Sequence, residues 1–191
     1  MLKKFITEHI ELFQRLPQIE NEIIKIADVC STAISNKRKV IFCGNGGSAA
    51  DAQHISAELV GRLVDDRRAL AAISLTTDTS ALTCIANDYG YDHVFSRQLA
   101  GVGQPGDVLI AISTSGNSQN IMNAVDMAKT MGIETAGWLG KDGGKLAGMV
   151  DIPMIVPSNV TARIQEAHIF IGHTICAMIE KNLGYGKWES A

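Results

Sequence analysis

Two polar side chains at helical spacing, His54 and Glu58, suggest chemistry on one face of a helix. Residues four apart share a helix face, so the pair could bind a divalent metal or place an acid–base group beside a substrate. The same spacing is also typical of a simple surface contact, and Arg62, one turn further on, could pair with Glu58. From this segment alone, the three interpretations stay open.

A second polar set lies near the end of the chain, where Gln165 precedes His173. His173 interrupts the otherwise apolar run 171–175, and a buried polar ring needs a partner, either a core hydrogen bond or a metal. On a straight helix, Gln165 and His173 would lie about 12 Å apart. Either one of them is not a ligand, or the site gathers side chains from other helices or subunits.

Two glycine- and hydroxyl-rich turns, 44–48 and 113–118, each follow a short apolar run and open a helical pattern. Such turns present backbone N–H groups and hydroxyls at the positive end of a helix, where a phosphate binds well. Capping the next helix needs one serine, whereas the second turn offers four hydroxyls, those of Ser113, Thr114, Ser115 and Ser118. We therefore expect the second turn to bind phosphate.

The first turn has further interpretations. Ser48 and Asp51 match the S-x-x-D pattern, which predicts a capping box at the start of a helix. Gly44, Gly46 and Ala49 fit the loose pattern of a dinucleotide site, but the acidic residue that this site needs comes later than usual after the next strand. A tight turn without any ligand is the third alternative.

The elements that must position these residues alternate between helix and strand. Apolar stripes predict N-terminal helices up to about Asn36, with an interruption at Pro17. Apolar runs predict strands at 39–43, 71–75, 107–112, 134–138 and 151–156. Helical patterns cover about 48–63, 80–100 with a break near Gly90, 117–131 and 162–182. This alternation predicts an α/β fold, a three-layer α-β-α sandwich with a five-stranded parallel sheet and extra N-terminal helices.

The predicted sheet brings the two turns together. Ligands of such sheets bind beyond the carboxyl ends of the strands, where both turns fall. Pro153 lies inside the last strand and predicts that this strand is at an edge of the sheet. The last helix and the N-terminal segment 1–36 are apolar over more than one face, which indicates burial against another subunit.

The overall composition narrows the class of protein to which the chain can belong. A chain of 191 residues predicts a single domain, and a net charge of −3 with a pI near 5.9 disfavours a nucleic-acid partner. No run of 18 apolar residues exists, so we expect no membrane span, and the N-terminus lacks a signal-peptide pattern. Four widely spaced cysteines predict reduced, buried residues of a cytoplasmic protein.

Four segments together carry a resemblance to a known family. They read CGNGGSAADAQHISAE from Cys43, CIANDYGYDHVFSRQ from Cys84, ISTSGNS from Ile112 and ARIQEAHIFIGH from Ala162. Over about 39–180, the chain resembles the bacterial phosphoheptose isomerases of the sugar-isomerase (SIS) fold. The resemblance implies conversion of sedoheptulose 7-phosphate to D-glycero-D-manno-heptose 7-phosphate through an enediol, the first step of ADP/GDP-heptose biosynthesis. It also implies a homotetramer with active sites between subunits and one zinc ion per subunit.

The resemblance assigns roles residue by residue. Glu58 and His173 match the catalytic acid–base pair. The implied zinc ligands are His54, Glu58, Gln165 and His173. The implied substrate contacts are Asn45, Gly46, Gly47, Glu58, Asn87, Asp88, Ser113, Thr114, Ser115, Ser118 and Gln165.

Two other functions of the same fold are open. A non-catalytic SIS relative binds the replication initiator protein but lacks the catalytic pair, whereas Glu58 and His173 are both present here. A sugar-phosphate-sensing domain of a regulator is usually fused to a DNA-binding module, for which this chain leaves no room. We expect the enzyme.

Overall fold

The protein is built around one parallel sheet, seen in a computed structural model that describes residues 1–186. Its strands are β1 Val40–Gly44, β2 Ala72–Ser74, β3 Val108–Ser113, β4 Glu134–Leu139 and β5 Ile152–Ile155. Their order is β2-β1-β3-β4-β5, and every neighbouring pair is parallel. The predicted five-stranded parallel sheet is confirmed. β5 is an edge strand, as Pro153 predicted, because proline cannot donate a ladder hydrogen bond.

Helices cover both faces of the sheet. They are α1 Leu2–Phe13, α2 Glu20–Ser35, α3 Gly47–Val60, α4 Thr79–Tyr89, α5 Val94–Val102, α6 Gln119–Thr130 and α7 Thr161–Asn182. Short 3-10 turns occupy Leu16–Ile19, Tyr91–His93 and Lys145–Gly148. The first two fall at the breaks predicted at Pro17 and near Gly90. Among the described residues, no helix combines the length and the apolar character that crossing a membrane requires.

Alternate strand residues face the two helical layers. Phe42 and Ile110 belong to one buried cluster with side chains of α2, α3 and α7, whereas Ile41 and Leu109 belong to another with side chains of α5 and α6. Successive side chains of a strand point to opposite faces, so a strand covered on both faces must be apolar at every position. This explains the continuous apolar runs of the sequence.

At the end of the sheet opposite the glycine turns, Lys39 forms an ion pair with the buried Asp107. Lys39 Nζ lies 2.6 Å from Asp107 Oδ2, and the Asp107 side chain is fully buried. The same carboxylate accepts hydrogen bonds from the backbone N–H groups of Lys39 and Gln104. It thus holds the starts of β1 and β3 together.

The predicted capping box at the start of α3 is wrong. Gly46 is the N-cap residue, and no side chain caps this helix. The physical reason is that helical hydrogen bonding starts earlier, because the backbone N–H of Ser48 donates to the Asn45 carbonyl oxygen and that of Ala50 to the Gly46 carbonyl oxygen. The helix therefore begins at Gly47, and Ser48 is already inside its first turn.

α7 packs very closely on α3 and on the sheet. A Cβ at Gly172 would lie 2.6 Å from Ile55 Cδ1 and 3.1 Å from the ring of Trp138. Protein interiors have little free volume, so neither neighbour can yield at low cost. The absence of a side chain at 172 therefore sets the distance between the two helices.

His168 joins α7 to the sheet. Its ring is fully buried, and Nε2 lies 3.1 Å from the Leu139 carbonyl oxygen, to which the neutral ring donates. Burial lowers the pKa of His168 to about 4, although the hydrogen bond to Leu139 opposes this shift. The ring is therefore neutral at physiological pH.

We expect Gly172→Val to lower the free energy of unfolding by about 1–3 kcal/mol, because the added methyl groups must displace Ile55 or Trp138. Urea denaturation measures the change. Gly101→Ala is the matched control, since a Cβ there meets open space and alanine favours the helix. A Gly172→Val protein as stable as the wild type would show that α7 is not tightly held.

We expect His168→Gln to remove a pH dependence of stability. In the wild type the unfolded chain binds a proton near pH 6.5 and the folded one only near pH 4, so stability falls as pH drops through that window. Between pH 7.5 and 4.5 the advantage of the wild type over His168→Gln should shrink by about 2–3 kcal/mol. Urea unfolding at both pH values measures it, with the exposed His93→Gln as the control. An advantage that stays constant would contradict the assignment.

Candidate active site

The two glycine turns lie side by side at the carboxyl ends of neighbouring strands. Gly44 at the end of β1 is in register with Ile112 in β3, so the chain leaves the sheet at nearly the same level in both strands. The first turn enters α3 and the second enters α6. The predicted meeting of the two turns is thus confirmed, and two helix N-termini point at one edge of the sheet.

The second turn presents hydroxyls rather than using them to cap α6. Ser118 is the N-cap residue, yet its side chain makes no capping hydrogen bond. Its Oγ instead lies 3.2 Å from Ser113 Oγ, and Thr114 and Ser115 are half-buried between them in sequence. Hydroxyls grouped at a helix N-terminus can donate to an anion without a nearby cation.

Backbone packing holds the second turn in shape. Gly116 has a φ of 65°, and a Cβ there would overlap the Gly143 carbonyl oxygen. Asn117 accepts from the backbone N–H of Lys145 and donates through Nδ2 to the Ser115 carbonyl oxygen at 2.8 Å. The turn therefore rests on the connection between β4 and β5.

Asn45 links the first turn to its surroundings. The amides of Asn45 and Asn120 exchange two hydrogen bonds of 2.9 Å each, and the Tyr91 hydroxyl donates to Asn45 Oδ1 at 3.0 Å. Asn120 is buried in the first turn of α6. Three separate segments thus meet at one amide, and Asn45 is held beside the exposed Gly46 and Gly47.

α3 and α7 bring a potential metal-ligand set together. His54 Nε2 lies 2.9 Å from His173 Nε2 and 3.3 Å from Glu58 Oε1, and all three ligand atoms lie within 4.8 Å of one another. The His54 side chain is 49% exposed and that of Glu58 is 21% exposed, so the group is open to solvent in the protomer. Three of the four predicted metal ligands are therefore neighbours.

Gln165 contacts the same helix at an earlier point. Its amide lies against the first turn, so that a Cβ at Gly47 would meet Gln165 Nε2. α7 thus contacts α3 at Gly47 through Gln165 as well as at His54 through His173. The spacing of Gln165 and His173 along α7 is similar to the spacing of Gly47 and His54 along α3, so the two helices can make both contacts. A ligand role for Gln165 stays a prediction.

The predicted substrate residues Asn87 and Asp88 are exposed at the end of α4. Asn87 Nδ2 donates to Asp88 Oδ1 at 2.7 Å, and Cys84 Sγ lies 3.6 Å from Asp88 Oδ2. Cys84 is exposed, contrary to the expectation of buried cysteines, because α4 has no buried residue. The other three cysteines are buried and free, as predicted.

Asp51 stands one turn before His54 and is not the capping residue that its spacing suggested. Burial raises its pKa to about 6, while the charge of His54 acts in the opposite direction. Its Oδ2 is buried without a hydrogen-bond partner among the described residues. A carboxyl group with a pKa near neutrality beside a histidine is typical of functional sites.

Sequence reasoning missed Asn120 and Arg67. Nothing local marks them, because each acts on a residue far away in the chain. Arg62 was the arginine considered as a partner for Glu58, but Arg67 is the one that reaches this residue, through its main-chain carbonyl at 2.7 Å. The carboxylate of Glu58 contacts His54 instead.

The donor set fits zinc. Imidazole nitrogen and carboxylate oxygen are ordinary zinc ligands, and tetrahedral bonds of about 2.0–2.1 Å place neighbouring ligand atoms about 3.3 Å apart. The separations of His54 Nε2 from His173 Nε2 and from Glu58 Oε1 are close to this value. His54, Glu58 and His173 therefore form a candidate metal centre.

Comparison with known proteins gives one consistent result. Residues 4–140 match the SIS domain family. The phosphoheptose isomerase of Sulfurimonas denitrificans is 55% identical, with 95% of this chain and 97% of the relative covered. The solved phosphoheptose isomerase of Neisseria gonorrhoeae is 44% identical with a TM-score of 0.89, covering 94% and 97% of the two chains. That of Francisella tularensis is 34% identical with a TM-score of 0.87, covering 94% and 98%. The chain therefore belongs to the SIS-domain family of phosphoheptose isomerases.

Proposed function

We propose that the protein is an isomerase that converts sedoheptulose 7-phosphate to D-glycero-D-manno-heptose 7-phosphate. The observation that carries the proposal is the meeting of His54, Glu58 and His173 on α7 and on the helix that starts at the first of two turns suited to a phosphate and a polyol. Family membership supports the same reaction. The product feeds ADP/GDP-heptose biosynthesis, and we assign the enzyme to the cytoplasm, without a nucleic-acid partner.

The substrate binds with its phosphate at the second turn. The hydroxyls of Ser113, Thr114, Ser115 and Ser118 and the N-terminus of α6 donate to it. The sugar hydroxyls contact the first turn and polar residues near it. These contacts are Asn45, Gly46, Gly47, Asn87, Asp88 and Gln165.

Glu58 and His173 carry the proton transfers. A base removes the proton from C1 of the ketose while an acid protonates the C2 carbonyl oxygen, which gives an enediol. Return of a proton to C2 and loss of the proton from the C1 hydroxyl give the aldose. Glu58 serves the carbon and His173 serves the oxygens, and their position on two packed helices lets both reach one end of the substrate.

One zinc ion per subunit would be held by His54, Glu58, Gln165 and His173, and Glu58 and His173 would transfer protons when they do not coordinate the ion. When bound, zinc acts as a Lewis acid that polarises the substrate carbonyl. Imidazole and carboxylate bind metal only when deprotonated, so acidification should weaken this site.

Assembly as a homotetramer completes the protein. We propose a single SIS domain over 1–191, whose segment 1–36 serves oligomerisation. Several large apolar residues of α1 and α7 are exposed in the protomer: Leu2 at 72%, Phe5 at 45%, Ile6 at 49%, Ile10 at 49% and Phe170 at 48%. Burial of such a surface favours association.

The alternative is a non-catalytic protein that binds the replication initiator. That class lacks the catalytic pair, whereas here Glu58 and His173 are brought to one place. Function follows the residues of the site rather than the fold. The catalytic interpretation is therefore favoured.

We expect Glu58→Gln and His173→Gln to lower kcat on sedoheptulose 7-phosphate by about 10²–10⁴-fold, because each removes a proton-transfer group. The assay follows aldose formation, with and without a chelator, and His93→Gln is the control for loss of a histidine elsewhere. A silent wild type that binds an initiator protein tightly would reverse the assignment.

We expect Ile6→Asp and Ile10→Asp to dissociate the tetramer, because a carboxylate replaces an apolar contact between subunits. Light scattering after size exclusion measures the mass. Val102→Asp places the same charge on an exposed residue of α5 and should leave the assembly intact. Equal masses for all variants would exclude α1 from the interface.

A further inference from the structure

Arg67 and Glu180 form an ion pair buried between the end of α3 and α7. Arg67 Nε lies 2.8 Å from Glu180 Oε1, and each side chain is only 1% exposed. Removing two charges from water is costly, and apolar residues of similar volume often stabilise a protein as well or better. A contribution to stability alone therefore does not explain why the protein has this buried ion pair.

The guanidinium also caps the helix that carries His54 and Glu58. It donates to the carbonyl oxygens of Glu58 at 2.7 Å, Leu59 at 2.8 Å and Gly61 at 2.8 Å. The last carbonyls of a helix lack partners within it, and a cation there is favourable. The planar guanidinium group of Arg67 thus fixes both the position and the orientation of the last turn of α3.

Glu180 ties this cap to the helix that carries His173. It lies seven residues, about two turns, after His173 on α7. Its Oε1 also accepts from the backbone N–H of Leu63 at 3.3 Å, whereas Oε2 is buried without a hydrogen-bond partner among the described residues. The charge of Glu180 is therefore compensated mainly by Arg67.

We propose that Arg67 and Glu180 are positioning residues that hold α3 and α7 in the register that assembles His54, Glu58 and His173. This inference rests on the proposed function of that site. Arg67 binds the main chain of Glu58 itself, and Glu180 anchors it to α7 beyond His173. A shift of either helix along the other would separate the ligand atoms that now lie within 4.8 Å.

The test uses Glu180→Gln, Arg67→Lys and a matched control. Asp107→Asn removes the charge of another ion pair, with Lys39, which joins the starts of β1 and β3 rather than α3 and α7. Each full-length variant is compared with the wild type for the urea midpoint, zinc affinity against a chromophoric chelator, and kcat and KM on sedoheptulose 7-phosphate. Zinc affinity is measured on metal-stripped protein, so it does not depend on activity.

We expect Glu180→Gln and Arg67→Lys to weaken zinc binding about 10–100-fold, as for other outer groups that orient metal ligands. We also expect kcat to fall more than KM rises. Asp107→Asn should lose stability yet keep the zinc affinity and kcat of the wild type. Glu180→Gln that behaves like Asp107→Asn would overturn the inference.

A double variant protects the test against misfolding. Arg67→Met with Glu180→Leu replaces the pair by apolar side chains that can keep the helices packed. We expect it to stay folded with weak zinc binding, and zinc affinity equal to the wild type's would overturn the inference. A wild type that binds zinc without turnover would refute the proposed reaction alone, whereas one with neither property would overturn both.

Discussion

The candidate site depends on the close packing of α3 against α7. The two helices run in the same direction across one face of the sheet and meet at three levels: Gln165 at Gly47, Gly172 and His173 at Ile55 and His54, and Glu180 at the cap of α3. At two of these levels α3 and α7 approach each other over a residue without a side chain, Gly47 on α3 and Gly172 on α7. The helices are thereby close enough for one ion or one substrate carbon to reach both.

The order of the strands explains why α3 starts next to the second glycine turn. The strand order places β2 on one side of β1 and β3 on the other, so the chain changes direction across the sheet between β1 and β3. At such a point the following helices lie on opposite faces, and a crevice opens between the loops. α3 packs in one core cluster and α6 in the other, so their N-termini flank this crevice. Asn45 and Asn120 join its two walls.

Local patterns predicted most of the fold and the less specific part of the site. Apolar runs located the strands, Pro153 located an edge, and the hydroxyl-rich turn was located by its composition. The partnership of His54 with His173 was implied only by family resemblance, because the two residues are 119 positions apart and no local spacing encodes it. The roles of Asn120 and Arg67 had no such signal, since a buried amide and a buried guanidinium are recognisable only from their partners.

The openness of the protomer connects assembly to chemistry. His54, Asn87 and Asp88 are exposed, whereas proton transfer through an enediol is best protected from bulk water. α1 rests on α7 through His9, whose Nδ1 lies 2.8 Å from Glu166 Oε2, next to Gln165 in the chain. The exposed apolar residues of α1 therefore belong to a helix that packs against α7, the helix that carries Gln165 and His173. In the proposed tetramer, burying that surface would bring a neighbouring subunit toward the site, so the same contact that removes apolar area from water would also help to exclude water from the reacting sugar.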